Sequence, residues 1–277
     1  MENRLIADRF RISGTLRNII ENTGWLLGLR ILRMLFALFV MAWVARYLGR
    51  EEFGVLQYAI AIVGLFGPFA ILGLQTITVR EIVREPEARD EILGTTFVMR
   101  FVGGLTGFVL VLVTIYFIRE EESVRLVTGI AALTLFLQAF ECIDMWFQSQ
   151  VQSKYTVIAK SVAIVIANLL KILAILMLAP VAAFAVILAI GVTISSGGLV
   201  IAYRSQGYHL RDWRFSVDRA KDLFGQSWML MLTGAISIIY FKIDQVMLGQ
   251  IAGDEEVGVY SAATRLSEVW YFIPTAI

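Results

Sequence analysis

The sequence predicts an all-α integral membrane protein of about eight transmembrane helices, and three observations carry that expectation. Hydrophobic residues make up 58% of the 277-residue chain and charged residues only 17%, where a soluble domain carries about 25% charged residues. The apolar letters fall into blocks of about 20 to 25 residues, long enough to cross roughly 30 Å of hydrocarbon as helix. A stretch that begins at Gly49, GREEFGVL, returns at Gly253 as GDEEVGVY.

Taken in order, residues 1–23 mix arginine with Leu, Ile and Phe ahead of Trp25. That composition fits either a helix lying in the headgroup layer or a solvated leader. The first span runs from Gly24 to Leu48, too long and followed by too many others to be a cleaved signal peptide. The second begins at Val55, the third at Gly94 and the fourth at Leu126. The fifth and sixth, from about Tyr155 and Val181, are separated only by Ala179 and Pro180, which predicts a tight helical hairpin. The basic, aromatic segment 204–225 reads as a cytoplasmic linker with Tyr208, Trp213 and Phe215 at headgroup level rather than as a nucleic-acid surface. The seventh span starts near Gln226, and the eighth starts near Val257 and is still apolar at Ile277.

Orientation follows from the loops. Arg4, Arg9, Arg11, Arg17, Arg80, Arg84, Arg89, Lys154, Arg204, Arg211, Arg214, Arg219 and Lys221 fall on one side, and only Arg46, Arg50, Arg119 and Arg125 on the other. Positive charge stays inside, so the N-terminus is expected in the cytoplasm. A single Cys142 and a single His209 exclude a disulfide framework, a cysteine metal site and a multi-histidine site, so no metal and no cofactor are expected.

The repeat extends beyond its first letters, pairing Gly54 with Gly258, Val55 with Val259 and Ala59 with Ala263. Each copy sits between two spans, and six spans separate the copies. An even number leaves both facing the same way, as in a parallel duplication about an axis normal to the bilayer. In each copy a glycine ends one helix and acidic residues favour the first turn of the next.

Two stretches, ARYLGREEFGVLQYAIAIVGLFGPFAILGL from Ala45 and FKIDQVMLGQIAGDEEVGVYSAATRLSEVWYFIPTAI from Phe241, resemble the polysaccharide (O-antigen-type) flippases of the multidrug/oligosaccharidyl-lipid/polysaccharide exporter superfamily. The resemblance implies two six-helix lobes related by a pseudo-twofold axis, a central cavity, and export of undecaprenyl-diphosphate-linked oligosaccharide across the cytoplasmic (inner) membrane by alternating access. On that pattern residues 24–203 form a first six-helix lobe. Residues 226–277 then supply the first two helices of a second, and the chain reads as a fragment. The expected partners are the lipid-linked oligosaccharide, membrane lipids and a coupling H+ or Na+, with no nucleic acid and no catalytic residue.

Ionisable side chains within the spans mark the expected pathway, because charge in hydrocarbon is costly. Arg30 and Arg33 share a face of the first span; Arg33 lies roughly 14 Å deep and Arg30 is shallow enough to snorkel. Arg100 lies on a face with Gly104 and Gly107, where another helix or a ligand has room to approach. Lys160 and Lys171 share a face of the fifth span with Asn168 alongside, Lys160 being shallow enough to serve as an interfacial anchor. Arg30, Arg33, Arg100 and Lys171 are the expected substrate contacts, since forked guanidinium donors and ammonium groups suit a diphosphate.

The acids Glu141 and Asp144 form a polar stripe with Gln138 and Gln148, either neutralising Arg100 and Lys160 or binding the coupling ion. In the seventh span Thr233, Ser237, Tyr240 and Asp244 share a face, with Asp244 the leading coupling-ion candidate and Lys242 its competing partner. No Gly-rich phosphate-binding loop with its Lys is present, so an ion gradient or the membrane potential is the expected drive. Two other functions compete with this one. A drug or metabolite exporter of the same superfamily would favour acids and aromatics over these cations. An integral membrane enzyme of glycolipid assembly would need paired carboxylates or a metal cluster, and Glu120, Glu121 and Glu122 are the nearest approach.

Overall fold

The computed structural model describes residues 36–268. The N-terminal segment, Arg30 and Arg33, and the end of the eighth span lie outside the described residues. Helix α1 is Phe36–Leu65. Its residues 36–43 belong to one compact unit, and the chain from Val44 forms a second.

The described residues form helices throughout, with no strand among them: after α1 come α2 (Gly67–Ile71), α3 (Leu74–Arg84), α4 (Arg89–Ile118), α5 (Glu122–Ala132), α6 (Thr134–Leu137), α7 (Cys142–Ser149), α8 (Lys154–Leu176), α9 (Val181–Ser205), α10 (Val217–Ile251) and α11 (Asp254–Glu268). Five helical spans are long and apolar enough to cross a membrane, and a bent pair, Phe36–Leu65 with Gly67–Arg84, makes a sixth. The sequence reading expects about eight, and the difference has local causes. The first expected span begins outside the described residues, and α11, 15 residues long, is described only to Glu268, short of the end of the eighth. The second is broken. Pro68 sits in the first turn of α2, and Leu72 and Gly73 adopt left-handed backbone, so the chain bends by 48° where hydropathy reads a single block.

Gly49 and Gly253, at equivalent places in the two repeat copies, both take positive φ, 73° and 93°. That backbone suits glycine; Gly253 separates α10 from α11 as expected, whereas Gly49 lies within the helical run Phe36–Leu65, so the helix end expected there is not seen. The expected hairpin between the fifth and sixth spans appears as α8 and α9, with Pro180 extended between them and Leu178 left-handed.

Around the helices, large apolar side chains such as Val109, Phe117, Ile158, Leu169 and Ile201 lie exposed, as expected of faces that meet lipid rather than water. The tightest core gathers where α3, α4, α7 and α9 meet. There Ile82, Leu93, Ile143, Phe147 and Leu199 are completely enclosed. The linker after α9 closes this core instead of lying free. Trp213 packs against Phe97 and donates to the Tyr203 hydroxyl at 3.3 Å, and Tyr208 meets Trp146 edge to face and lies tilted against Tyr203. Arg89 lies over the Tyr208 ring at 4.4 Å while its guanidinium grips Asp90. Of the three aromatics expected at headgroup level, Tyr208 and Trp213 are spent on this packing and only Phe215 stays exposed.

Candidate functional site

The site is built from two parts, a cation-lined cavity beside α8 and α9 and the place where the repeat copies meet. The cavity, about 340 Å³, is lined by Glu141, Lys160, Lys171, Ser195 and Ser196 among small and aliphatic residues. Small residues make it. Ala163, Ala167 and Gly191 face one another across the helix pair and leave room that larger side chains would fill.

The expected cations separate by their partners. Arg100 on α4 is 2% exposed; its guanidinium donates to Glu141 at 3.3 Å and to the Ala70 carbonyl at 3.3 Å. Gly104, one turn along, lies against the backbone of Leu135 and Phe136, so the approach foreseen there is made by a helix. Lys160 pairs with Asp144 at 2.8 Å. Lys171 forms no ion pair among the described residues, although it lines the same cavity. Arg265 of α11 lies within electrostatic reach of it. Arg265 is not among the residues expected from sequence, where Glu268 three positions on makes it read as an ordinary paired charge.

Asp244 lies on an exposed stretch of α10 and accepts from the Tyr260 hydroxyl of α11 and from the Gln245 backbone N–H. It forms no ion pair with Lys242 among the described residues. Thr233 and Ser237 donate to carbonyls one turn earlier in their own helix, at 2.9 Å each. Those hydroxyls are satisfied locally, a usual state for such groups in an apolar helix.

The repeat copies touch each other. A Cβ added to Gly54 would overlap the Asp254 carbonyl, and one added to Gly258 would overlap the Arg50 carbonyl. Gly54 and Gly258 are equivalent in the repeat, as are Arg50 and Asp254, so the contact is reciprocal, as a twofold axis between the copies requires. Polar groups frame it. Arg119 pairs with Asp254 and Arg50 pairs with Glu255 at 3.3 Å. The Arg119 guanidinium also lies 4.5 Å from the centre of the Tyr58 ring, which is enclosed and held by Gln250 through its hydroxyl. Burial pushes the Asp254 carboxyl up from its ordinary value, and the attraction of Arg119 offsets only part of that.

Among the described residues no group of three His, Cys, Asp or Glu side chains is placed to hold a metal ion.

This arrangement defines a multi-pass helical membrane protein whose opening helices recur and meet across a local twofold axis. Its family follows from comparison: the model described as polysaccharide biosynthesis protein matches residues 19–272, and the chain belongs to that family. The resemblance drawn from the Ala45 and Phe241 stretches thus holds at the level of the family. Comparisons with curated proteins and with solved structures found no match.

Proposed function

We propose that the protein moves a lipid-linked oligosaccharide with a diphosphate headgroup across the cytoplasmic membrane by alternating access, with its N-terminus in the cytoplasm and its repeat turns outside. The observation that carries this reading is Lys171: an ammonium group in a membrane cavity, unpaired among the described residues and within electrostatic reach of Arg265. An unpaired cation in such a place is costly unless an anion visits it. A diphosphate is such an anion, and Arg30 and Arg33, outside the described residues, are further contacts proposed for it. Arg100 would then act from behind, holding Glu141 at the cavity wall.

The isoprenoid tail stays in apolar surroundings. A groove of about 500 Å³ between α8 and α9, lined by Ile158, Val162, Ile194 and Gly198, lies on the same helix pair as the headgroup cavity and suits it. No covalent bond is made or broken, so the reading assigns no catalytic residue and no cofactor. The drive is an ion gradient or the membrane potential, with Asp244 the foremost ion-coupling candidate and Glu141 and Asp144 behind it because both hold cations already.

The test is surface polysaccharide in cells carrying Lys171→Gln or Arg33→Ala. Loss of polysaccharide at normal protein abundance is expected for both. Normal polysaccharide in both variants would remove the anion-binding reading.

A further inference from the structure

We propose that the Gly54/Gly258 crossing is a demountable seal that closes the outer end of the passage between the two repeats, with the Arg119–Asp254 and Arg50–Glu255 pairs setting its register. The inference rests on the alternating-access reading.

The chemistry of the contact points to a joint made to part. Carbonyl oxygens of Asp254 and Arg50 lie directly over the opposing glycines, so the copies meet backbone to backbone. Just inside, the Tyr58 ring rests against Gly249 of α10 and beneath the Arg119 guanidinium, plugging the gap. The Arg50–Glu255 pair is largely exposed, at 73% and 60%, and exposed pairs contribute little adhesion. Arg119 also reaches Glu121 at 3.7 Å, so its charge has a second partner on its own side when Asp254 departs.

The position of the joint matters as much. Helix α10 is 35 residues long, roughly 50 Å. Near its start it packs on the bend at Gly73 and accepts Arg80 at Gln226, and at its far end it leads into the Gly253 turn and the crossing. The first repeat thus meets α10 from Ser227, opposite Gly73, through Lys242 and Gly249 to the crossing beyond its far end. Rocking about the Gly73 attachment separates the crossing, which is the geometry of a gate.

Glycine makes the test sharp. Neither Gly54 nor Gly258 has positive φ, so alanine suits each helix taken alone and is the better helix former. The clash arises only against the other repeat. In the full chain carrying Val257→Cys, a position with no exposure in the closed contact, the rate of modification by a membrane-impermeant maleimide is measured in right-side-out and inside-out vesicles. Gly54→Ala is expected to raise that rate about tenfold in right-side-out vesicles. Gly64→Ala, whose added Cβ would find its nearest neighbour at 3.9 Å, should leave it unchanged. Arg119→Asp should also raise the rate, and combining it with Asp254→Arg should restore slow labelling.

Equal rates for Gly54→Ala and Gly64→Ala at equal abundance would overturn the seal. If Gly54→Ala fails to accumulate, the charge series decides, and a swapped pair no slower than Arg119→Asp alone overturns it. Faster labelling confined to inside-out vesicles would overturn the outer placement. Faster labelling from outside with undiminished polysaccharide export would support the seal and overturn the transport reading on which it was built.

Discussion

Arg100 and Lys171 are both cations on apolar helices, yet their surroundings call for opposite results on substitution. Arg100 is enclosed and holds Glu141 and the Ala70 carbonyl. Removing it leaves a carboxylate and a carbonyl without their donor, a loss of about 2 kcal/mol. Arg100→Ala should therefore lower the thermal midpoint of the detergent-solubilised protein. Lys171 has no such partner among the described residues, so Lys171→Gln should leave that midpoint unchanged or raise it while export falls. A shared drop in stability would mean that Lys171 is a structural cation after all. Sequence alone placed both residues on the pathway because depth and charge are legible in letters. Partnership was legible only as one of two readings for Glu141 and Asp144, and the folded chain is what brings Glu141 to Arg100 across 41 positions and Asp144 to Lys160.

At the scale of elements, the linker shows how a segment that reads as free becomes fixed. Its composition of arginine and aromatics suited headgroups as well as packing, and tertiary neighbours made the choice. Arg214 donates its backbone N–H to Asp90, Ser216 to Thr95, and Arg219 reaches Glu85 at 2.7 Å and Glu91 at 3.5 Å. The hydrogen bond and charge of Arg219 hold the Glu85 carboxyl below its ordinary range. A depressed carboxylate pKa stabilises docking above the free-state value, and that contribution is lost as pH falls through the docked one. The protection factors of amides 210–215, taken relative to the intrinsic exchange rate at each pH, should therefore fall below about pH 4.5, and Glu85→Gln should lower them at neutral pH. Unchanged protection in that variant would assign the docking to Trp213 and Tyr208 alone. Some span ends were legible, as at Pro180 and Gly253, but α10 begins at Val217, nine residues before the start near Gln226 that hydropathy suggests and inside the expected linker 204–225. The break in the second span was not legible, because Pro68 and Gly73 are apolar or neutral letters inside an uninterrupted apolar run.

For the molecule as a whole, the repeat is the feature that sequence disclosed most fully. Its two copies announced a duplication, and the structure puts Gly54 and Gly258 against each other with reciprocal carbonyl contacts. What the letters withheld was that the copies touch at all, because equivalence along a chain says nothing of distance. From this contact and the Lys171 cavity comes the account's central claim, the passage of an anionic lipid headgroup between duplicated bundles. Its most direct measurement uses the full chain in proteoliposomes holding a labelled polyprenyl-diphosphate oligosaccharide. The fraction of label open to a membrane-impermeant glycosidase is followed in time beside a neutral polyprenyl glycoside. The diphosphate lipid should become accessible well beyond the level of protein-free vesicles, and the gain should vanish in Lys171→Gln. Equal movement of the neutral lipid, or no gain over empty vesicles, would contradict it.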